Sequence, residues 1–161
     1  MSCNRVSDAD FRRHIGVLAQ LPWPVTFADA SRVVTTQLGW TPWTSASFRT
    51  DLGIHPGIGN LSYLENEEIS SIRLGLTDFS EDESDERDTF QHEAFSFYAK
   101  ILRDMYGPGS QAPFPRRHDE LFWDLPSGAQ VVLVVGIASG AVSILSPRLA
   151  EAHRINARSQ H

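Results

Sequence analysis

Cysteine is almost missing from this chain of 161 residues. Cys3 stands alone, which excludes an internal disulfide framework and every zinc cluster built from cysteines. Long apolar runs are missing too, and none approaches the roughly 20 residues a helix needs to cross a bilayer. The N-terminal MSCNRVSDADFRRH is polar and lacks the apolar stretch of a secretory leader. The expectation is a cytoplasmic chain that stays off membranes. Positive charge is in deficit: 20 acids against 14 bases give a net charge of −6. That balance repels nucleic-acid phosphates and favours a basic protein partner.

Reactive motifs are equally scarce. There is no Gly-x-Ser-x-Gly elbow, and Cys3 lies in a tail that packing is not expected to hold still. His14, His55, His92, His118, His153 and His161 are scattered, with no pair at metal-ligand spacing. His118-Asp119-Glu120 reads as a solvated strand end. Glu65, Glu67 and Glu68 read as a solvated turn rather than paired carboxylates for acid–base work. Gly57-Ile58-Gly59-Asn60 lacks the third glycine and following helix of a dinucleotide fingerprint, and no Lys-Ser/Thr pair makes it a P-loop. The expectation is a protein that is not an enzyme and holds no metal or cofactor.

What is present is a strongly patterned stretch, DELFWDLPSGAQVVLVVGIASGAVSILS, from Asp119 to Ser146. It reads as a three-strand meander: Leu121–Leu125, then Val131–Ile137, then Ala141–Leu145. Pro126-Ser127-Gly128 and Ala138-Ser139-Gly140 supply the reversals. The middle strand is apolar nearly throughout, as suits a strand covered on both faces. Ser146-Pro147 then caps a last helix, Pro147–Arg154.

Upstream, Phe11, Ile15 and Leu18 recur at helical spacing after Ser7 or Asp8 as N-cap, and this helix ends at Leu21-Pro22. Trp23, between two prolines, reads as an apolar plug. A second helix starts at Thr26, buries Ala30, Val33, Val34 and Leu38, and stops at Gly39. Trp43–Thr50, Leu61–Glu65 and Glu68–Thr77 read as strands, the last with Ile72, Leu74 and Leu76 on one face. Thr89–Tyr106 carries Phe90, Ala94, Phe97, Tyr98, Ile101 and Met105 at three- and four-residue steps and is halted by Gly107-Pro108. Gly109–His118 is a loop. The order ααβββαβββα predicts one α+β domain over residues 1–161: a single antiparallel sheet of about six strands with helices packed on it. Residues 1–6 and 156–161 are expected to fray. No internal repeat is visible.

Two stretches are candidates for contact with a partner. Leu52 to Asn60 is the one glycine-dense loop, and His55, Pro56, Gly57, Ile58, Gly59 and Asn60 could protrude into a partner's cleft. Asp78 to Asp88, DFSEDESDERD, carries seven acids and one base. It reads as an exposed linker whose last acids favour the following helix N-terminus. Asp82, Glu83, Asp85 and Glu86 could also steer a cationic partner electrostatically.

LPWPVTFADASRVVTTQLGW at 21–40, with LFWDLPSGAQVVLVV and AVSILSPRLAEAHR across 121–154, resembles a group of small actinobacterial proteins. In particular it is similar to the immunity proteins paired with the tuberculosis necrotizing toxin. The resemblance covers about half the chain, and its motifs mark the fold rather than contacts. It implies an antitoxin that binds and plugs the active site of a secreted, NAD-consuming toxin. A secretion chaperone of similar build is the alternative, and a small-molecule enzyme the third.

Overall fold

The computed structural model describes residues 3–111, 119–136 and 138–159. Apolar side chains recur at every second residue of the strands and at three- and four-residue steps of the helices, and together they close one core. The elements run α1 (Asp8–Leu18), α2 (Phe27–Gln37), β1 (Thr41–Pro42), β2 (Ser47–Arg49), β3 (Ile58–Tyr63) and β4 (Ile69–Gly75). They continue with α3 (Asp85–Tyr106), β5 (Ser110–Gln111), β6 (Asp119–Asp124), β7 (Gln130–Val135), β8 (Gly140–Leu145) and α4 (Pro147–Ser159). No helix among the described residues is long and apolar enough to cross a membrane.

The strands form one antiparallel sheet in the order β1-β2-β3-β4-β8-β7-β6-β5. The class is α+β as expected, but the sheet has eight strands rather than six. The two added strands, β1 and β5, are two-residue edges, too short for any alternation to register in the sequence. The ladder also shows a repeat that similarity does not: a helix followed by a four-strand meander occurs twice, and the two meanders meet at β4 and β8.

One face of the sheet carries Leu61, Ile72, Leu74, Val131, Leu133, Val142 and Ile144, all buried in the main core with Phe11, Ile15, Ala30, Val34, Tyr98 and Leu102. The helices α1, α2 and α3 therefore cover this face. Full burial of each such side chain is worth about 1.5–3 kcal/mol. Caps set the helix starts: the side chains of Ser7, Thr26 and Ser84 accept from the backbone N–H of Asp10, Asp29 and Arg87. Because Ser84 is the cap, α3 begins four residues before Thr89 and absorbs the last acids of the supposed linker. Burial pushes the Tyr98 phenol well above its usual range. Its hydroxyl donates to Val6 O at 2.6 Å.

For Asn4, Arg5 and Val6 the structure corrects the expected fraying of residues 1–6. Val6 is fully buried and donates its N–H to Leu76 O, and Arg5 pairs with Thr77. At the other end α4 runs to Ser159, past the expected stop at Arg154. The expected loop residues 112–118 and the strand end Ile137 lie outside the described residues.

Candidate functional site

Strand register divides the second face of the sheet into two unlike halves. On the β6–β8 half, α4 lies across it: His153 meets the Phe122 ring edge-on at 5.3 Å and bonds Gln130 through Nδ1 at 2.6 Å. Gln130 is fully buried and donates from Nε2 to Asp124, which also accepts from Arg154 at 2.7 Å. Burial works against the Asp124 charge, but the Gln130 and Arg154 hydrogen bonds prevail and hold its carboxyl below the usual range. Glu120 is buried with one carboxylate oxygen 3.8 Å from His153 Nε2. The expectation of a solvated strand end at 118–120 therefore fails for Glu120, because α4 closes over it.

On the β2–β4 half the helical cover is limited to α4 where it meets the start of β4, beside Ser70. By register, Ser47 and Arg49 of β2, Ile58 and Asn60 of β3, and Ser71 and Arg73 of β4 point outward here. Both candidate contact segments border this half, and the structure brings them together. Thr50 N–H donates to Gly57 O and closes the loop, with Asp51 and Gly53 at positive φ. Asp78 then clips the loop to the acidic segment. Its carboxylate accepts from the backbone N–H of His55 at 2.8 Å and of Asn4 at 2.7 Å, and Phe79 N–H returns a bond to His55 O at 2.9 Å.

The exposed tip, His55-Pro56, stands as a ridge between clefts. A cleft of about 320 Å³ on one flank is lined by His55, Asp78, Phe79 and Asp82. Another, of about 430 Å³, is lined by Trp43, Arg49, His55 and Pro56, and a smaller one of about 200 Å³ by Pro56, Ile58, Arg73 and Phe79.

The glycine-dense stretch is only half loop. Ile58, Gly59 and Asn60 belong to β3, and Gly59 is buried against the Trp40 ring: a Cβ there would sit 2.3 Å from it. Trp40 is held by donating from Nε1 to His14 Nε2 at 3.0 Å, while His14 Nδ1 bonds Asp10 O at 2.9 Å. The imidazole is therefore neutral with its proton on Nδ1, and burial holds its pKa below the ordinary value. Thus α1 and α2 set the floor on which the ridge stands.

Of the acids, Asp82 and Glu83 are exposed ahead of α3, and Asp85 and Glu86 are exposed in its first turn. Arg87 is buried and reaches back from Nη1 to Ser80 O at 3.4 Å, tying the segment down. Trp43 and Phe79, both half-exposed, border the ridge as well, as does Arg49, with Arg73 beside the smaller cleft. Period-two alternation was the available signal: it puts both arginines opposite the core face. Among the described residues no group of three or more His, Cys, Asp or Glu could hold a metal ion.

A model of the family described as "Family of unknown function (DUF6301)" matches residues 9–145. No curated protein and no solved structure matches.

Proposed function

We propose that this chain, which belongs to DUF6301, is a cytoplasmic immunity protein. In this reading it binds a cognate secreted toxin and occludes its active site, and the toxin is an NAD-glycohydrolase of the kind the sequence resemblance implies. The observation that carries the reading is the ridge: an exposed His55-Pro56 tip, clipped by Asp78, with clefts on its flanks and half-exposed Trp43 and Phe79 beside it. A pre-formed ridge enters a concave site without ordering a loop on binding, which lowers the cost of association. Gly57, Ile58 and Asn60 form its root, and Gly59 supports it from beneath Trp40. Asp82, Glu83, Asp85 and Glu86 add a single-signed rim that speeds encounter with a cationic partner by about 10–1000-fold at low salt.

The test is to mix the purified chain with the toxin encoded by the adjacent gene and follow NAD. Consumption should stop at an equimolar ratio; unchanged consumption refutes the reading. Reversing the charge of Asp82 and Glu83 should slow association at low salt and leave dissociation nearly unaltered.

A second reading, a secretion chaperone or adaptor, has one observation in its favour. A mostly apolar cleft of about 490 Å³ lies between the β3–β4 turn and α4, lined by Leu64, Ser70, Leu149 and Ala152. A chaperone would hold an extended segment there and leave NAD consumption untouched, so the same assay separates the two.

A further inference from the structure

We infer that the outward face of β2–β4, beyond the point where α4 meets the start of β4, is a second contact, one that takes an acidic segment of the bound protein on Arg49 and Arg73. This deepens the immunity reading and rests on it for the identity of the partner. It also reverses the sign expected from a chain of net charge −6.

Charge complementarity is the ground for it. Outward positions on β2, β3 and β4 hold two arginines and no acid, in a chain with 20 acids. Among the described residues neither guanidinium lies within ion-pair distance of a carboxylate. Arg49 is already oriented: its guanidinium stands over the Trp43 ring, 5.2 Å from the centroid. A stacked guanidinium keeps its in-plane N–H donors free for a carboxylate, and stacking reduces the rotamer freedom lost on binding. Arg49 pairs with Ile58 across one edge of β3 and Arg73 with Asn60 across the other. Strand spacing therefore sets them about 10 Å apart across the sheet and about 7 Å along it.

Two fixed cations at that separation select a segment presenting two carboxylates at matching distance. The edge of the sheet does not compete for an extended partner, because β1 is two residues long and includes Pro42, which has no N–H to donate. Arginines on the face and acids on the rim make a two-signed surface, which fixes the orientation of the bound protein as well as its rate of arrival.

The experiment uses two probes, a short peptide of alternating glutamate and alanine and its lysine counterpart. Each is titrated into the isotope-labelled chain at low salt and followed by amide shifts and Trp43 emission. The acidic peptide should bind more tightly, move the amides of Arg49, Ile58, Asn60 and Arg73, and lose affinity at least about tenfold in R49E/R73E. R49Q/R73Q should fall between. R32E/K100E, which changes net charge equally at exposed helix positions over the other face, should bind as the parent does. Circular dichroism checks that each variant is folded.

Preference for the basic peptide, or affinity within about twofold of the parent in R49E/R73E, overturns the inference. The NAD assay keeps the two proposals apart. Inhibition by the parent and equally by R49E/R73E sinks the arginine contact and leaves the immunity reading standing. Acidic-peptide binding through the arginines without any inhibition sinks the immunity reading alone.

Discussion

The two halves of the sheet share a plan and differ in cover. Each is a helix followed by a two-residue edge strand and three longer strands, and in each a tryptophan packs on a glycine: Trp40 on Gly59, Trp123 on Gly109. The β5–β8 half is enclosed, by α3 on one face and by α4, locked through Gln130, His153 and Arg154, on the other. The β1–β4 half has helices across one face, and on the other only α4 at the start of β4. Its second face displays arginines, small polar residues and the ridge. The same plan thus yields a scaffold where a helix follows β8 onto the outer face, and an open surface where the helix after β4 goes to the inner one. Binding is expected on the half that stability does not need to close.

Glycine substitution tests that division most severely. Gly59 lies within β3, paired on both sides, under a buried ring, and a Cβ would lie 2.3 Å from Trp40, whereas Gly109 lies outside any strand, 2.6 Å from Trp123. Gly59→Ala should cost about 3 kcal/mol or more. Gly109→Ala should cost about 1 kcal/mol, because a connecting segment can shift where a central strand cannot. Urea midpoints measure both, and a larger loss at Gly109 would reverse the assignment of rigid and adjustable ground.

Next in size is the indole–imidazole pair. Trp40→Phe removes the donor to His14 Nε2 and part of the ring over Gly59, and should cost about 2 kcal/mol. Acid should act on the same pair. His14 is held neutral, with its folded pKa below the value of 6.5 that applies when unfolded. Below 6.5 the unfolded chain takes up a proton that the folded chain refuses, so stability is complete above that pH and falls as the pH drops toward the folded value. Midpoints of the parent should decline over this window, and the decline should flatten in His14→Leu. A parent curve with no such slope would mean that the imidazole can charge in place.

These residues also mark how much could be read beforehand. The helices, the 130–145 strands and the core stripe Ile72, Leu74 and Leu76 were legible because apolar spacing is local. Gly59 was misread as loop because its cause, a tryptophan nineteen positions earlier in the chain, is tertiary. The 78–88 run reads as an exposed linker, and charge counting does not reveal that Asp78 accepts two backbone bonds or that Arg87 is buried. The twofold plan escaped notice because it is a repeat of topology, with edge strands two residues long. Of the stretch expected to protrude, only His55 and Pro56 form the exposed tip, and the closeness of Asp82 to it is tertiary. Arg49 and Arg73 do not stand out in the sequence because a charged residue on an outward strand position is the ordinary solvated case; what distinguishes them is the sparse helical cover of their face, which is tertiary.

On the enclosed half, Gln130→Leu should cost about 1 kcal/mol, since the change leaves His153 Nδ1 without its partner and removes one of the two donors to Asp124. Amide exchange in α4 should quicken while α2 stays protected; equal quickening in both would mean that the halves open as one unit.

The smallest effect belongs to Arg154. Its guanidinium reaches Asp124 at 2.7 Å and Glu151 at 3.3 Å, and the hydrogen bond to Asp124 raises its pKa above the usual arginine value. The Asp124 side chain, however, is half-exposed. Water screens the pair, so Arg154→Ala should cost at most about 1 kcal/mol. Its pH signature should be the mirror of the open half in range though not in sign. Asp124 is depressed below 3.8 in the folded chain, so its contribution is present above that value and lost as pH falls through the folded pKa. An acid titration of the parent should therefore weaken the Trp40 floor first, in the histidine range, and the α4 lock only in the carboxylate range. Exchange rates followed down in pH should show α1 and β3 loosening before α4. The opposite order would place the weaker ground under the enclosed half and remove the reason for assigning binding to the other.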